Sequence, residues 1–136
     1  MKIVATSGYF NPLHKGHVRL IQEAKKLGDY LIVIVNNDEQ VKLKGSVPFM
    51  TAHERAEIVA ALKAVDEVII ALDDDRTVRK TLQHIKPHVF AKGGDTMSPL
   101  DIPETEVCSV LNIEMVFGVG GGKIQSSSWL KDGIKK

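Results

Sequence analysis

The sequence predicts an α/β fold in which helices cover both faces of one five-stranded parallel sheet, a doubly wound arrangement within a single domain spanning residues 1–136. Short apolar runs alternate along the chain with segments that have the 3.6-residue apolar period of amphipathic helices. The run Tyr30–Val35 is almost wholly apolar, as is typical of a parallel strand that is covered on both faces. The length of 136 residues fits one domain with a sizeable core, and neither a linker nor a repeat divides it.

The expected elements alternate from one end of the chain to the other. Strands are predicted at 2–7, 30–35, 67–72, 88–91 and 113–117. Helices are predicted at 16–27, 51–64, 75–85 and 104–111, with a last short helix after residues 126–128. Residues 36–50 are expected to be a polar loop, and Thr51 with Glu54 forms a candidate capping box. Connections of this length require right-handed crossovers, so the strands are expected to be parallel.

Composition excludes several classes of function. The formal net charge of +1 gives no basic field that would attract nucleic acid or a membrane surface. No apolar run approaches the ~18 residues that a membrane span needs. The single cysteine, Cys108, excludes an intrachain disulfide and suits a reducing compartment. The first strand begins almost at once and leaves no room for a signal peptide, so we expect a cytoplasmic protein.

The most informative segment, GYFNPLHKGH at residues 8–17, joins the first predicted strand to the first predicted helix. The first turn of a helix has unpaired N–H groups, and its dipole favours anions. His14 and His17 lie one helical turn apart, so their imidazole N–H groups can point at one triphosphate. Gly16 between them lets the backbone approach a phosphate without a Cβ in the way. The pattern indicates chemistry on a nucleoside triphosphate.

Two other interpretations of this histidine pair are weaker. Two histidines found together by chance would not explain why three further polar loops leave the carboxyl ends of predicted strands. A zinc site would need two more ligands. The remaining candidates, His53, His84, His88 and Cys108, have no ligand spacing. Metal-ligating residues are therefore not predicted.

Basic residues follow in the next loop and helix. Lys42 and Lys44 flank one residue in the 36–50 loop, so both face the same side if the segment is extended. Either could neutralise a substrate phosphate, although a solvated loop lysine is the alternative, more so for Lys42. Arg55 lies in the first turn of a predicted helix, where a cation is unfavourable for the dipole. It could instead hold a phosphate bidentately, or be an ordinary surface arginine.

The two remaining loops also have features of ligand-binding segments. Residues 92–95 (KGGD) combine two glycines, which free the backbone to approach a ligand, with a charge on each side. Asp95 could accept from ribose hydroxyls or help to orient Mg²⁺, whereas a tight turn without a ligand is the alternative. Residues 120–122 are glycines, and Ser126–Ser128 place hydroxyls at another predicted helix start, although serines are also common caps. Because all these loops leave carboxyl ends of parallel strands, they are expected to converge.

Taken together, these segments resemble the nucleotidyltransferase superfamily that carries the His-x-Gly-His motif, the cytidylyltransferase-like proteins. The resemblance covers nearly the whole chain. The chain is most similar to the short bacterial members, which are the glycerol-3-phosphate cytidylyltransferases and the heptose-phosphate adenylyltransferase domains. It rests on residues 8–17, 27–30, 54–68 and 126–128. The stretches at 43–45 and 92–95 favour the heptose-type branch, whereas 65–68 is shared more with the cytidylyltransferases.

The resemblance implies a Rossmann-like domain, Mg²⁺, a homodimer, and nucleotidyl transfer from CTP or ATP to a phosphorylated alcohol or sugar with release of pyrophosphate. It assigns three roles to residues of this chain. The catalytic residues it implies are His14, His17 and Lys44. The nucleotide-binding residues it implies are Ser7, Gly8, Tyr9, Phe10, Gly16, Lys92, Gly94, Asp95, Ser126, Ser127 and Ser128. The acceptor-binding residues it implies are Lys44, Arg55 and Lys123.

Three departures from the family pattern leave the base and the acceptor open. Asn11 stands where the short bacterial members usually have Asp, and Val47 replaces an arginine of the heptose branch. Residues 121–125 replace an Arg-Thr-Glu-Gly-Ile stretch, so that Lys123 stands in for its arginine. A non-catalytic nucleotide sensor on the same fold is the alternative function, although binding alone does not require both histidines. A fragment of a class I aminoacyl-tRNA synthetase is a third hypothesis, which the near-neutral charge disfavours.

Overall fold

The structure, a computed structural model, describes residues 1–93 and 102–120. Its strands are β1 (Ile3–Gly8), β2 (Tyr30–Val35), β3 (Glu67–Ile70), β4 (Val89–Gly93) and β5 (Glu114–Val119). They form one sheet in the order β3-β2-β1-β4-β5, and every neighbouring pair is parallel. The predicted doubly wound, Rossmann-like sheet of five parallel strands is therefore confirmed.

Five helices connect the strands in the described part of the chain. They are α1 (Lys15–Lys25), α2 (Asp38–Leu43), α3 (Ala52–Ala60), α4 (Arg79–Ile85) and α5 (Thr105–Val110). The structure places α2 within residues 36–50, which the sequence predicted as a loop. Asn37 and Gln40 form a reciprocal capping box at its start, in which each side chain accepts from the other residue's backbone N–H at 2.9 Å. Because α2 is short and has few apolar residues, its periodicity is too weak to predict.

The start of α4 also differs from the prediction, because the preceding acidic residues form a turn instead of the first helical turn. The carboxylate of Asp73 accepts from the backbone N–H of Lys80 at 2.7 Å and from the hydroxyl of Thr81 at 2.6 Å. Asp75 accepts from the hydroxyl and the backbone N–H of Thr77, which lowers the pKa of its carboxyl to about 2. The helix therefore begins at Arg79 rather than near residue 75.

The core has one apolar layer on each face of the sheet. Along β1, Val4 belongs to the layer under α1 and α3, and its neighbour Ala5 belongs to the layer under α4 and α5. Cys108 is buried in the second layer, and burial raises the pKa of its thiol to about 11. This cysteine is thus a small core residue, as the sequence indicates. No helix among the described residues is long and apolar enough to cross a membrane.

The strand order creates a ligand-binding position at β1. The chain runs outward from β1 to β2 and β3 and then crosses to β4 on the other side of β1, so the strand order reverses between β1 and β4. Such a switch point is where open parallel sheets bind ligands. The buried hydroxyl of Thr6 donates to the carbonyl of Ala91 at 2.9 Å and joins β1 to β4 just below this point. Among the described residues, the predicted loops after β1 and β2 and the end of β4 therefore meet around one crevice.

Candidate active site

A cavity of about 490 Å³ lies at the carboxyl ends of β1 and β4. The segment after β2 forms another of its walls. Seven of the predicted site residues line it, namely Ser7, Gly8, Tyr9, Phe10, His17, Lys44 and Lys92. The structure therefore brings together side chains from three separate parts of the chain. Gly94, Asp95, Lys123 and Ser126–Ser128 lie outside the described residues.

The two motif histidines form a capping box at the start of α1. The backbone N–H of Gly16 donates to Nδ1 of His14 at 3.1 Å, and the backbone N–H of His14 donates to Nδ1 of His17 at 3.2 Å. The two rings are stacked, with centroids 3.7 Å apart and planes 22° from parallel. Each imidazole thus satisfies one backbone donor that would otherwise be left unpaired.

This arrangement corrects the expected source of the phosphate contacts. The sequence led us to expect free first-turn N–H groups with Gly16 close to phosphate. In the structure the Gly16 N–H is occupied by His14, and Gly16 is not among the residues that line the cavity. Since each Nδ1 accepts a hydrogen bond, a neutral imidazole carries its proton on Nε2. Either imidazole can therefore donate through Nε2–H; His17 lines the cavity, whereas His14 stacks on it and is not among the lining residues.

Both histidines are held in the neutral form. Burial, followed by repulsion from a charged His14 and from Lys44, lowers the pKa of His17 to about 4. Burial also lowers the pKa of His14. Two like charges on rings stacked this closely would repel each other, which is consistent with a neutral pair. At neutral pH the site therefore offers hydrogen-bond donors without imidazolium charge.

We expect His17 to remain the neutral Nε2–H tautomer at pH 5.5, where an ordinary histidine is mostly protonated. In the unfolded chain its pKa is near 6.5, so the unfolded state binds more protons between pH 6.5 and about 4. The contribution of His17 to the free energy of unfolding is therefore lost as the pH falls through this window. Long-range ¹H–¹⁵N spectra of the imidazoles measure both the tautomer and the pKa.

The Lys44→Met variant is the control for that titration. Lys44 is one of the positive charges that lower the pKa of His17, so its removal should raise that pKa. A wild-type His17 that titrates near 6.5, or that carries its proton on Nδ1, would contradict the geometry of the capping box.

The position of His17 depends on the aromatic residue of the same motif. Phe10 is buried, has φ 51°, and packs edge-on against the His17 ring with centroids 4.9 Å apart. Its left-handed backbone conformation is uncommon for a bulky residue and indicates a geometrically constrained loop. A Cβ on Gly8 would lie 2.7 Å from the Phe10 ring, so only glycine fits there without movement. Gly8 thus leaves room for the Phe10 ring, which packs against His17.

The structure distinguishes the two lysines of the second loop. Lys44 follows α2 as its C-cap residue, and its Nζ lies 4.3 Å from the centroid of the Tyr9 ring. Lys42 is exposed and pairs with Glu39 at 3.5 Å. Lys44 lines the cavity and Lys42 does not, so the solvated alternative applies to Lys42.

The guanidinium of Arg55 is not directed to a ligand, in contrast to the role implied by the family resemblance. Its side chain is fully buried and donates to three backbone carbonyls, those of Tyr9, Asn36 and Met50, at 2.7, 2.8 and 3.1 Å. It also pairs with the carboxylate of Asp38 at 2.8 Å. These contacts occupy the guanidinium inside the protein. Arg55 therefore joins the segments around the cavity and is absent from its lining.

Several cavity residues were not predicted as site residues, namely Asn11, Leu20, Val41, Gly45, Ser46, Val47, Phe49 and Gly93. Asn11 was recognised only as a departure from the family pattern. Val47 and Phe49 flank a proline inside a polar segment and are both exposed. Apolar residues on both sides of a proline in a predicted loop were the sequence signal that could have identified them.

The sheet, the crevice and the paired imidazoles together define an α/β domain with a candidate ligand site at the carboxyl end of its first strand. A model of the family described as cytidylyltransferase-like matches residues 5–119. The chain belongs to this family.

Relatives of known name match the same domain. An FAD synthase of Ferroglobus placidus is 48% identical over 95 residues, which are 70% of this chain and 60% of the relative. The bifunctional protein HldE of Koribacter versatilis is 44% identical over 96 residues, 69% of this chain and 19% of that protein. The matched region thus spans less than two thirds of either relative.

One solved structure is similar over almost its whole length. The crystal structure of the lipopolysaccharide core biosynthesis protein from Thermoplasma volcanium GSS1 superposes with a TM-score of 0.74 and 31% identity. The match covers 86% of this chain and 95% of that chain. The similarity extends the family relationship from the sequence to the arrangement of strands and helices.

Proposed function

We propose that this protein transfers the adenylyl group of ATP to the phosphate of a small phosphorylated molecule and releases pyrophosphate. The observation that carries the proposal is the pair of stacked, neutral imidazoles at the switch point of the sheet, whose Nδ1 atoms are both occupied by backbone N–H groups. ATP rather than CTP is supported by the names of the relatives, one of which makes a product that contains adenosine.

The residues present suit this reaction. A phosphate oxygen of the acceptor attacks the α-phosphorus, a new P–O–P bond forms, and the bond from the α-phosphorus to the bridging oxygen breaks. Pyrophosphate leaves with that electron pair, so no proton transfer by the protein is required. Catalysis then depends on positioning and on donors that meet the charge growing on the phosphoryl oxygens. The Nε2–H groups of His14 and His17 supply such donors, and Lys44 supplies positive charge beside them.

Mg²⁺ would accompany the triphosphate in this proposal. Within residues 1–93 and 102–120 no cluster of three or more His, Cys, Asp or Glu side chains could hold a metal ion. Mg²⁺ in nucleotide enzymes is commonly held by substrate phosphates, water and one or two carboxylates. The donor set therefore fits an ion that arrives bound to the nucleotide, where it would neutralise phosphate charge. The homodimer, the cytoplasmic location and the absence of a nucleic-acid or membrane partner stay predictions.

Replacing Lys44 with alanine should raise the KM for a phosphorylated substrate by about tenfold, because ground-state binding of a phosphate is lost. Lys42→Ala is the matched control, since that lysine lies two residues away and pairs with Glu39 in solvent. Initial rates at varied ATP and varied acceptor measure the two KM values separately. Unchanged KM values for both substrates in Lys44→Ala would show that this lysine binds neither of them.

Pyrophosphate release tests the function directly. The purified protein is incubated with Mg²⁺, one of ATP, CTP, GTP or UTP, and one phosphorylated acceptor from a panel of sugar phosphates, alditol phosphates and flavin mononucleotide. Release that requires both substrates and is fastest with ATP is the expected result. Release that is fastest with CTP would overturn the choice of base. Nucleotide binding without any release would favour the alternative, a non-catalytic sensor on the same fold.

A further inference from the structure

The outer wall of the cavity is unusually apolar for a site that binds phosphates. Val47 is 77% exposed and Phe49 is 70% exposed, and both line the cavity. Neither side chain belongs to the two apolar core layers. Val110 on α5, which is 75% exposed, does not line this cavity. Two apolar side chains facing one functional cavity call for a ligand that covers them.

These two residues are held in place by Asn11. Its amide nitrogen donates to the carbonyl of Val47 at 3.0 Å, and its amide oxygen accepts from the backbone N–H of Phe49 at 2.8 Å. One side chain thus fixes both residues on either side of Pro48 against the β1–α1 loop. An aspartate at this position could only accept, and would place its charge against the Val47 carbonyl. The wall is therefore positioned by the motif that also carries His14 and His17.

Two lysines of the cavity lie on opposite sides of β1 and could each bind a different phosphate. Lys92 at the end of β4 and Lys44 after α2 both line the cavity, with His17 also in its lining. An in-line displacement requires the attacking oxygen of the acceptor and the leaving pyrophosphate to lie on opposite sides of the α-phosphorus. The 47–49 wall belongs to the side of Lys44, which follows β2, whereas Lys92 belongs to the opposite side of β1. The acceptor would then place its phosphate near Lys44 and its remaining part against Val47 and Phe49.

We propose that Val47 and Phe49, positioned by Asn11, bind the acceptor, and that the acceptor is a phosphorylated molecule with a flat apolar ring face rather than a simple sugar phosphate. This inference rests on the proposed function and adds the class of acceptor to it. An aromatic face would stack on Phe49 and remove both apolar side chains from water. A sugar would leave its hydroxyls against them without hydrogen-bond partners.

Calorimetric binding tests the class of acceptor without relying on turnover. Flavin mononucleotide and ribose 5-phosphate are titrated into the protein saturated with a non-hydrolysable ATP analogue and Mg²⁺. Flavin mononucleotide should bind at least about tenfold more tightly than ribose 5-phosphate. Phe49→Ser and Val47→Ser should each weaken its binding by about fivefold or more, while the affinity for the ATP analogue stays unchanged. Val110→Ser is the matched control and should change neither affinity.

Four results would overturn the inference. They are equal binding of the two phosphates, no binding of either, loss of affinity for the ATP analogue in Phe49→Ser, and a changed oligomeric state with unchanged binding. Loss of affinity for the ATP analogue would show that Val47 and Phe49 contact the nucleotide. A changed oligomeric state with unchanged binding would show that they contact a second copy of this chain. Pyrophosphate release by the wild type distinguishes failure of the inference from failure of the proposed function. Release with sugar phosphates alone would leave the function standing and remove the apolar acceptor.

The positioning role of Asn11 has its own readout. In Asn11→Ala, hydrogen exchange of the Phe49 amide should accelerate, because its acceptor is lost. In Asn11→Asp the Phe49 bond can persist while the bond to the Val47 carbonyl cannot, so the KM for the acceptor should rise with little change in the KM for ATP. An unchanged exchange rate at Phe49 in Asn11→Ala would show that Asn11 does not hold this wall.

Discussion

Replacing His17 with alanine is expected to reduce turnover at least ~10²-fold, as the loss of one preorganised donor does at sites that stabilise phosphoryl charge. The variant loses the Nε2–H that His17 offers to the cavity. It also loses the ring that stacks on His14 and accepts from the His14 backbone N–H. Because the second effect resembles the loss of a helix cap, the free energy of unfolding should fall by only about 1 kcal/mol.

Steady-state rates and a denaturant titration of the same preparation separate these effects. His53→Ala is the matched control, because His53 is exposed on α3 and does not line the cavity. We expect that control to keep wild-type rates. A His17→Ala variant that is folded and keeps wild-type turnover would remove this histidine from the mechanism, and the main support for nucleotidyl transfer with it.

Replacing Arg55 with methionine is expected to lower the free energy of unfolding by about 3 kcal/mol or more. The methionine fills much of the buried space but donates no hydrogen bond. Three carbonyls, those of Tyr9, Asn36 and Met50, then lose a charged donor inside the protein. Asp38 also loses its partner, although it is partly exposed and still accepts from the backbone N–H of Ala52 at 3.2 Å.

The exposed Arg76 offers a matched substitution, since Arg76→Met removes the same charge from the surface. Surface changes of this kind usually shift the free energy of unfolding by less than about 0.5 kcal/mol. Chemical denaturation of both variants measures the difference. An Arg55→Met protein as stable as Arg76→Met would mean that the buried contacts of Arg55 contribute little. Retained stability with a raised KM for the acceptor would instead restore the acceptor-binding role.

The strands were predictable because each is a short apolar run next to a segment with helical periodicity. Tyr30–Val35 was predicted with its observed bounds, because this strand is one apolar run with a polar residue directly before and after it. The capping box of Thr51 and Glu54 was also predictable, because it depends on two residues three positions apart. The limits of α4 were not, because Asp73 reaches forward to bond with Lys80 and Thr81.

The candidate site was predictable where its chemistry is local in the sequence. His14, His17 and Gly8 lie in one motif, and the structure places that motif at the carboxyl end of the first strand, as expected. The burial of Arg55 could not be read from the sequence, because its partners at Tyr9 and Asn36 are 46 and 19 residues away. The sequence also did not predict that the Nδ1 atoms of His14 and His17 both accept from backbone N–H groups, because these bonds depend on the backbone geometry at the start of α1.

The most direct test of nucleotidyl transfer is identification of the product by ³¹P NMR and mass spectrometry after incubation with ATP, Mg²⁺ and the acceptor panel. The account predicts one pyrophosphate for each product molecule. It also predicts a product whose mass is that of the acceptor plus adenylate minus water, with a new phosphoanhydride signal. The His17→Ala protein should form it at least ~10²-fold more slowly. Hydrolysis of ATP to free phosphate, or no change in any mixture while ATP is bound, would contradict the account.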